Sequence, residues 1–132
     1  DCDYAYLWEK DGRTLPLVEL PGDITMDDFT YYYFTFSDPA VRSMYTNREV
    51  YGNWKAEFDG LAEEGDKIFV LKLHPQMIGR ASRIAMVGEL IAYMKGHGAW
   101  IATCEEVARY VLEQEWEKNG EQDSPGKGGA LK

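Results

Sequence analysis

The sequence predicts an α/β fold whose sheet is incomplete within this chain, and three observations carry that expectation. An apolar run, Lys67 to Leu73, is stopped by His74-Pro75; proline cannot donate to a sheet ladder and pushes the residue before it towards an extended conformation. Helix-like periodicity stands on both sides of that run, and alternating strands and helices imply parallel strands joined by right-handed crossovers. The strand candidates are only Leu15–Leu20, Lys67–Leu73 and Trp100–Cys104. Parallel strands are normally covered on both faces and paired on both edges, so the sheet is expected to continue in a further segment of the polypeptide or in another subunit.

Composition bounds the function. With 132 residues and 45% apolar content the chain can bury one core. Its 14 basic against 23 acidic residues give a net charge of −9, which disfavours a phosphate-binding surface and hence nucleic acid. There is no apolar run of about 18 residues for a membrane span, and the opening DCDYAYLWEKDG lacks the basic start and apolar segment of a signal peptide; a cytoplasmic location is the expectation. Cys2 and Cys104 fit neither a disulfide framework nor a metal-binding spacing and read as ordinary thiols.

Residues 1–13 are rich in aromatic residues without clear period and end at a turn, Asp11-Gly12. Leu15–Leu20 follows as a short strand closed by Pro21-Gly22. The cluster Phe29, Tyr31, Tyr32, Tyr33, Phe34 and Phe36 is too dense for a solvated loop and belongs to a core, a cleft or a subunit contact. From Asn47, read as the cap, to Glu64, the residues Val50, Trp54, Phe58 and Leu61 recur at helical spacing, although Gly52 and Gly60 each cost such a helix about 1 kcal/mol. Gly65-Asp66 turns the chain into the run at Lys67. After Gly79, Ile84, Val87, Ile91 and Met94 mark one helical face that stops at Gly96 or Gly98. Met77, Met86 and Met94 read as core. Thr103 with Glu106 forms a capping-box signature, predicting a last helix from Cys104 to Glu117 that buries Val107, Val111 and Leu112. The domain is thus expected over 1–117, with 118–132 a flexible tail that has little to bury.

The segment FVLKLHPQMIGRASRIAMVGELIAYMKGHGAWIATCEEVARY resembles the carboxyl-terminal part of the polysaccharide deacetylase (NodB-like) family, in the branch with allantoinase-like, cyclic imidase-like and peptidoglycan deacetylase-like members. The pattern is a strand, His74-Pro75, Ile78-Gly79-Arg80, a helix, and an aromatic strand with Trp100, Ala102 and Thr103 before the last helix. The acidic and aromatic opening, the Leu-Pro strand and the Asp27-Asp28-Phe29 loop are also similar. Ile24 and Thr30 depart from the family's usual Trp and Pro, which leaves substrate preference open.

The resemblance implies the carboxyl-terminal half of a distorted (β/α) barrel. The family's catalytic Asp pair and metal-binding His residues lie in the amino-terminal half, which has no counterpart among these residues; any divalent metal, zinc or a similar ion, would be bound there, with no metal ligand in this chain. The partners implied are the chain or segment carrying that half, in an oligomer, and a small-molecule or glycan amide as substrate. His74 is then the general acid that protonates the leaving nitrogen, a task suited to imidazole because it titrates near neutral pH; the plainer reading is a strand-ending His bonded to a backbone carbonyl. Asp23, Asp27 and Asp28 follow the first strand on the same rim. Asp28 and Asp23 either orient the imidazole or bind substrate, or else cap a helix start or stand solvated. Arg80 either binds a carboxylate or carbonyl oxygen bidentately or forms an ion pair at the helix start. His97 reads as a surface residue of the Lys95–Gly98 turn, and no phosphate loop or G-x-S-x-G motif is present. Two functions follow: part of a hydrolase cleaving non-peptide C–N bonds in N-acetyl groups, ureides or cyclic imides, or a non-catalytic half-barrel that binds a partner through its aromatic cluster and open sheet edge.

Overall fold

A computed structural model describes residues 2–35, 37 and 44–122. They fall into two compact units: Leu20–Ile101 together with the first few residues, and Ala5–Glu19 together with the segment from Ala102 onward.

The second unit starts with an antiparallel hairpin of β1 (Tyr6–Lys10) and β2 (Arg13–Glu19). Asp11 (φ 51°) and Gly12 (φ 71°) both take positive φ, the conformation that lets a two-residue turn match the twist of its strands. Tyr6 pairs with Glu19 and Lys10 with Arg13, with an irregularity between Leu7 and Glu9, where the Trp8 indole N–H donates to Glu19 Oε2 at 3.0 Å. Pro16 is tolerated because every strand of a two-stranded sheet is an edge. The predicted first strand therefore exists, but in an antiparallel ribbon instead of a parallel sheet. Helix α5 (Cys104–Gln122) packs on β2. Thr103 and Glu106 close its amino end by a reciprocal pair of hydrogen bonds, as the sequence signature predicts, and Val107, Val111 and Leu112 are half-buried. The helix runs five residues past Glu117, through the polar stretch Lys118–Gln122; residues 123–132 of the expected tail lie outside the described residues, as does Phe36.

The first unit holds a 3₁₀ turn (Ile24–Met26), α1 (Asp28–Tyr32), α2 (Asn47–Glu64), α3 (Pro75–Ile78) and α4 (Ala81–Gly96). Helix α2 has the predicted bounds, and its buried face is Val50, Trp54 and Phe58. Its cap is Thr46, not Asn47: the Thr46 side chain accepts from the Glu49 backbone N–H while Glu49 accepts from the Thr46 backbone N–H. Asn47 instead accepts a hydrogen bond from the Tyr32 hydroxyl at 3.0 Å. The buried Trp54 indole donates to the Thr25 carbonyl at 3.0 Å, fastening the 3₁₀ turn onto α2. Tyr31 and Tyr32 enter the core, and Tyr31 meets the Trp54 ring edge-on.

Helix α4 packs on α2 through Met86, Val87, Leu90 and Met94. Of the face predicted from sequence, Val87 and Met94 are buried but Ile84 and Ile91 are 56% and 38% exposed. The helix is apolar on more than one side, so periodicity alone fits two faces and packing selects one. The run Lys67–Leu73 is extended and half-buried at Ile68–Leu71, with Lys72 and Leu73 exposed, and it is not a strand of a named sheet. Its ladder is reduced to a parallel bridge, Asp27 with Lys72, bounded by Lys72 N–H to Met26 O (2.8 Å) and Asp28 N–H to Lys72 O (3.1 Å). Trp100–Cys104 likewise forms no strand: Trp100 and Ile101 are exposed, and Thr103 and Cys104 are taken by the helix start. Isolated extended segments gain ladder hydrogen bonds only from neighbours, and among the described residues these find almost none. The described residues are thus mixed α and β, and the expected parallel sheet is represented among them by that single bridge. No helix among the described residues is long and apolar enough to cross a membrane.

Candidate functional site

Backbone register builds the site. The bridge at Asp27 and Lys72 sets the start of α1 beside the end of the extended run, and the next residues on each strand of that bridge are Asp28 and, two further on, His74. His74 is extended (φ −102°, ψ 121°) as the residue before Pro75, and it stands at the N-cap of α3 with proline in the first turn, where a missing N–H does no harm. Asp27 caps α1, accepting from the Phe29 N–H at 2.9 Å. Asp28 follows as the first helical residue, and its side chain is fully buried.

Both oxygens of that carboxylate are taken by one residue. Oδ2 accepts from the His74 backbone N–H at 2.9 Å and Oδ1 lies 2.7 Å from His74 Nδ1. An ionised carboxylate only accepts, so with Asp28 ionised the proton of this bond sits on Nδ1 and Nε2 is left to give or take one. The imidazole is 44% exposed, so the pair consists of a buried anion and a ring open on its far side. Asp27 Oδ1 is 3.5 Å from the same Nδ1. Phe29 packs beside the imidazole, ring centres 5.4 Å apart, and stacks in turn on Tyr33 at 4.3 Å. Phe29 thus gives the imidazole an apolar neighbour, and the aromatic cluster divides between core (Tyr31, Tyr32) and the Phe29–Tyr33 stack beside His74.

The other predicted residues lie elsewhere. Asp23 caps the 3₁₀ turn, and two hydrogen bonds from Thr25, at 2.5 Å from its hydroxyl and 2.7 Å from its N–H, hold the Asp23 carboxyl below the usual range. Arg80 is exposed at the N-cap of α4, with no ion pair among the described residues. Among the described residues the ion pairs and side-chain hydrogen bonds of His74 are with Asp27 and Asp28. His97 is exposed, with its ring 4.0 Å from that of Tyr93 and Nδ1 2.8 Å from the Tyr93 carbonyl oxygen. Cys2 and Cys104 are free thiols.

Sequence reasoning missed Arg83, whose guanidinium Cζ lies 3.8 Å from the centre of the Tyr32 ring and whose Nη1 donates to the Met77 carbonyl. A long side chain whose partners are a ring fifty-one positions away and a backbone carbonyl leaves no spacing signal.

Among the described residues, Asp27, Asp28 and His74 are the group whose donor atoms, all within 4.8 Å of one another, approach a metal-ligand arrangement. Both Asp28 oxygens already accept from His74, and an ion on Nδ1 would have to break that pair and take the proton's place.

No protein-family profile matches the sequence, and no curated protein does. Among solved structures, the crystal structure of a "putative polysaccharide deacetylase from Mycobacterium smegmatis" superposes with a TM-score of 0.69 at 29% sequence identity, over 86% of this chain. The chain spans 39% of the length of that protein. At the level of the fold, this chain is similar to part of a polysaccharide deacetylase.

Proposed function

We propose that the chain is the carboxyl-terminal part or subunit of a deacetylase-like hydrolase that cleaves non-peptide C–N bonds, with His74 as general acid. The observation that carries this reading is the Asp28–His74 pair. In the imidazolium, Nδ1–H is held by the carboxylate and Nε2–H is the proton to be delivered. As water adds to the amide carbon and the C–N bond breaks, its electron pair goes to nitrogen, which takes the Nε2 proton and leaves as a neutral amine; the proton lost by water goes to a base on the completing segment. Asp28 stabilises the charged ring before transfer and keeps the correct tautomer after it. Phe29, stacked on Tyr33, borders the ring with apolar surface suited to the non-reacting face of a sugar, ureide or cyclic imide.

The completing segment is the amino-terminal half of a distorted (β/α) barrel, in the same polypeptide or a second subunit, and any divalent ion is held there. Two observations support incompleteness: the nearly unpaired ladder of Lys67–Leu73, and a similarity confined to 39% of the mycobacterial protein. The test is to purify the assembly formed with that segment, weigh its chains, and assay amide hydrolysis with wild-type protein and His74→Gln. A loss of about 10²- to 10⁴-fold in kcat is expected from removing a general acid; unchanged hydrolysis overturns the role.

A second reading, a non-catalytic half-barrel that binds a partner, is favoured by the apolar side chains left on the outer face of α4, Ile84 and Ile91. It predicts an assembly of defined stoichiometry that hydrolyses none of the amide classes named.

A further inference from the structure

We propose that Arg83 is the positioning residue for His74, a second clasp that holds α3 against α1. Helix α3 is one turn of four residues, too short to be stable by its own hydrogen bonds, and the carbonyls at its end have no partner inside it. Two of them find neighbours along the chain: Pro75 O accepts from Gly79 N–H at 3.0 Å and Ile78 O from Arg80 N–H at 2.8 Å. Met77 O is reached by the Arg83 guanidinium from the first turn of α4.

The same guanidinium lies on the ring of Tyr32, the last residue of α1. Tyr32 is itself pinned, buried in the core with its hydroxyl donating to Asn47 at the start of α2. Arg83 therefore joins α4, α3 and α1 through one rigid planar group. The Asp28–His74 pair joins α1 and α3 at their amino ends; Arg83 joins them at their carboxyl ends. With both clasps closed the imidazole cannot swing, and with Arg83 removed α3 pivots about Asp28. Arginine suits this because its fork donates in plane while its face stacks; lysine, a point charge on a flexible stem, does one or the other.

The consequence for catalysis rests on the reading of His74 as general acid, whereas the positioning claim does not. The experiment compares wild type, Arg83→Met and Arg83→Lys as full chains in the completed assembly, with Asp28→Asn as the control for a broken pair. The readout is the ¹⁵N-labelled imidazole spectrum of His74 together with kcat and KM for amide hydrolysis. In wild type the Nδ1–H tautomer and its slowly exchanging proton are expected. In Arg83→Met that proton signal is lost or averaged and kcat falls about ten- to hundred-fold with KM changed less, the scale of a small misplacement; Arg83→Lys recovers part of both. A folded Arg83→Met that keeps the wild-type Nδ1–H signal overturns the proposal. Should Arg83→Met fail to fold, Arg83→Lys is judged by the same signal, since it keeps the charge and loses the fork. Loss of the signal in an assembly whose hydrolysis is indifferent to His74→Gln upholds the clasp and removes the catalytic reading instead.

Discussion

Replacing Asp28 by Asn changes one atom of a fully buried group that serves His74 alone, and its effect can be worked through. The carboxylate accepts two hydrogen bonds, at 2.9 Å from the His74 N–H and 2.7 Å from Nδ1. An amide of the same shape offers one acceptor and one donor. If the Asn oxygen keeps the backbone N–H, its NH₂ faces Nδ1, and the imidazole must present a lone pair there and carry its proton on Nε2. The neutral ring is then in the wrong tautomer to accept a returning proton at Nε2, and the imidazolium has two donors facing each other. Losing a hydrogen bond to a charged group costs about 1.5–3 kcal/mol, which alone slows the acid step roughly ten- to hundred-fold, and tautomer inversion adds to it. The backbone bond is retained, so stability should fall by only about 1 kcal/mol. Asp28→Ala, which leaves the part-buried His74 N–H without its acceptor, should cost about 1–3 kcal/mol. The assay is kcat against pH for the assembly, with urea unfolding of the same preparations. Asp28→Asn hydrolysing within about twofold of wild type at every pH would refute the reasoning.

Two further predictions concern stability. Gly52 and Gly60 lie inside α2 with open space where a Cβ would stand, so Gly52→Ala and Gly60→Ala should each raise the unfolding free energy by about 0.5–1 kcal/mol in urea titrations. The Thr46 cap should be worth about 1 kcal/mol, read as the loss in Thr46→Ala. Its partner Glu49 has a carboxyl held below the usual range, chiefly by the Thr46 hydroxyl and then by the Thr46 N–H; a depressed carboxyl stabilises the fold above its unfolded value and loses that contribution as pH falls through the folded one. Acid unfolding of Thr46→Ala should accordingly show a smaller change between pH 5 and 3 than wild type.

What the sequence made legible follows the range of the interactions concerned. Helix α2 and the start of α5 were readable because their signals are local: Val50, Trp54 and Phe58 at spacing four, and Thr103 three residues before Glu106. The outer and inner faces of α4 were not separable, since Ile84 and Ile91 alternate with Met86, Leu90 and Met94 around an apolar helix and only α2 decides which side is covered. Lys67–Leu73 has the composition of a strand, but composition is silent on whether a neighbour exists to pair with it. At the site, Pro75 fixed His74 at the end of an extended run, and the position of Asp28 after the first strand suggested an orienting carboxylate. Their meeting across forty-six residues depends on the register of Asp27 with Lys72, which no local pattern encodes. Arg83 was invisible for the same reason. Gly79 has a local cause that becomes plain only in three dimensions: a Cβ there would fall on the carbonyl oxygen of Pro75, so α3 could not close into α4 with a larger residue.

The role of His74 is tested most directly by varying the leaving group. Two amides of the same acyl part are compared in the completed assembly, one releasing an alkylamine and one an aniline bearing electron-withdrawing groups, with wild type and His74→Gln. A general acid matters most when the departing nitrogen is basic, so His74→Gln should lose about 10²- to 10⁴-fold on the alkylamide and far less on the anilide. Equal losses on both would show that His74 does not deliver the proton.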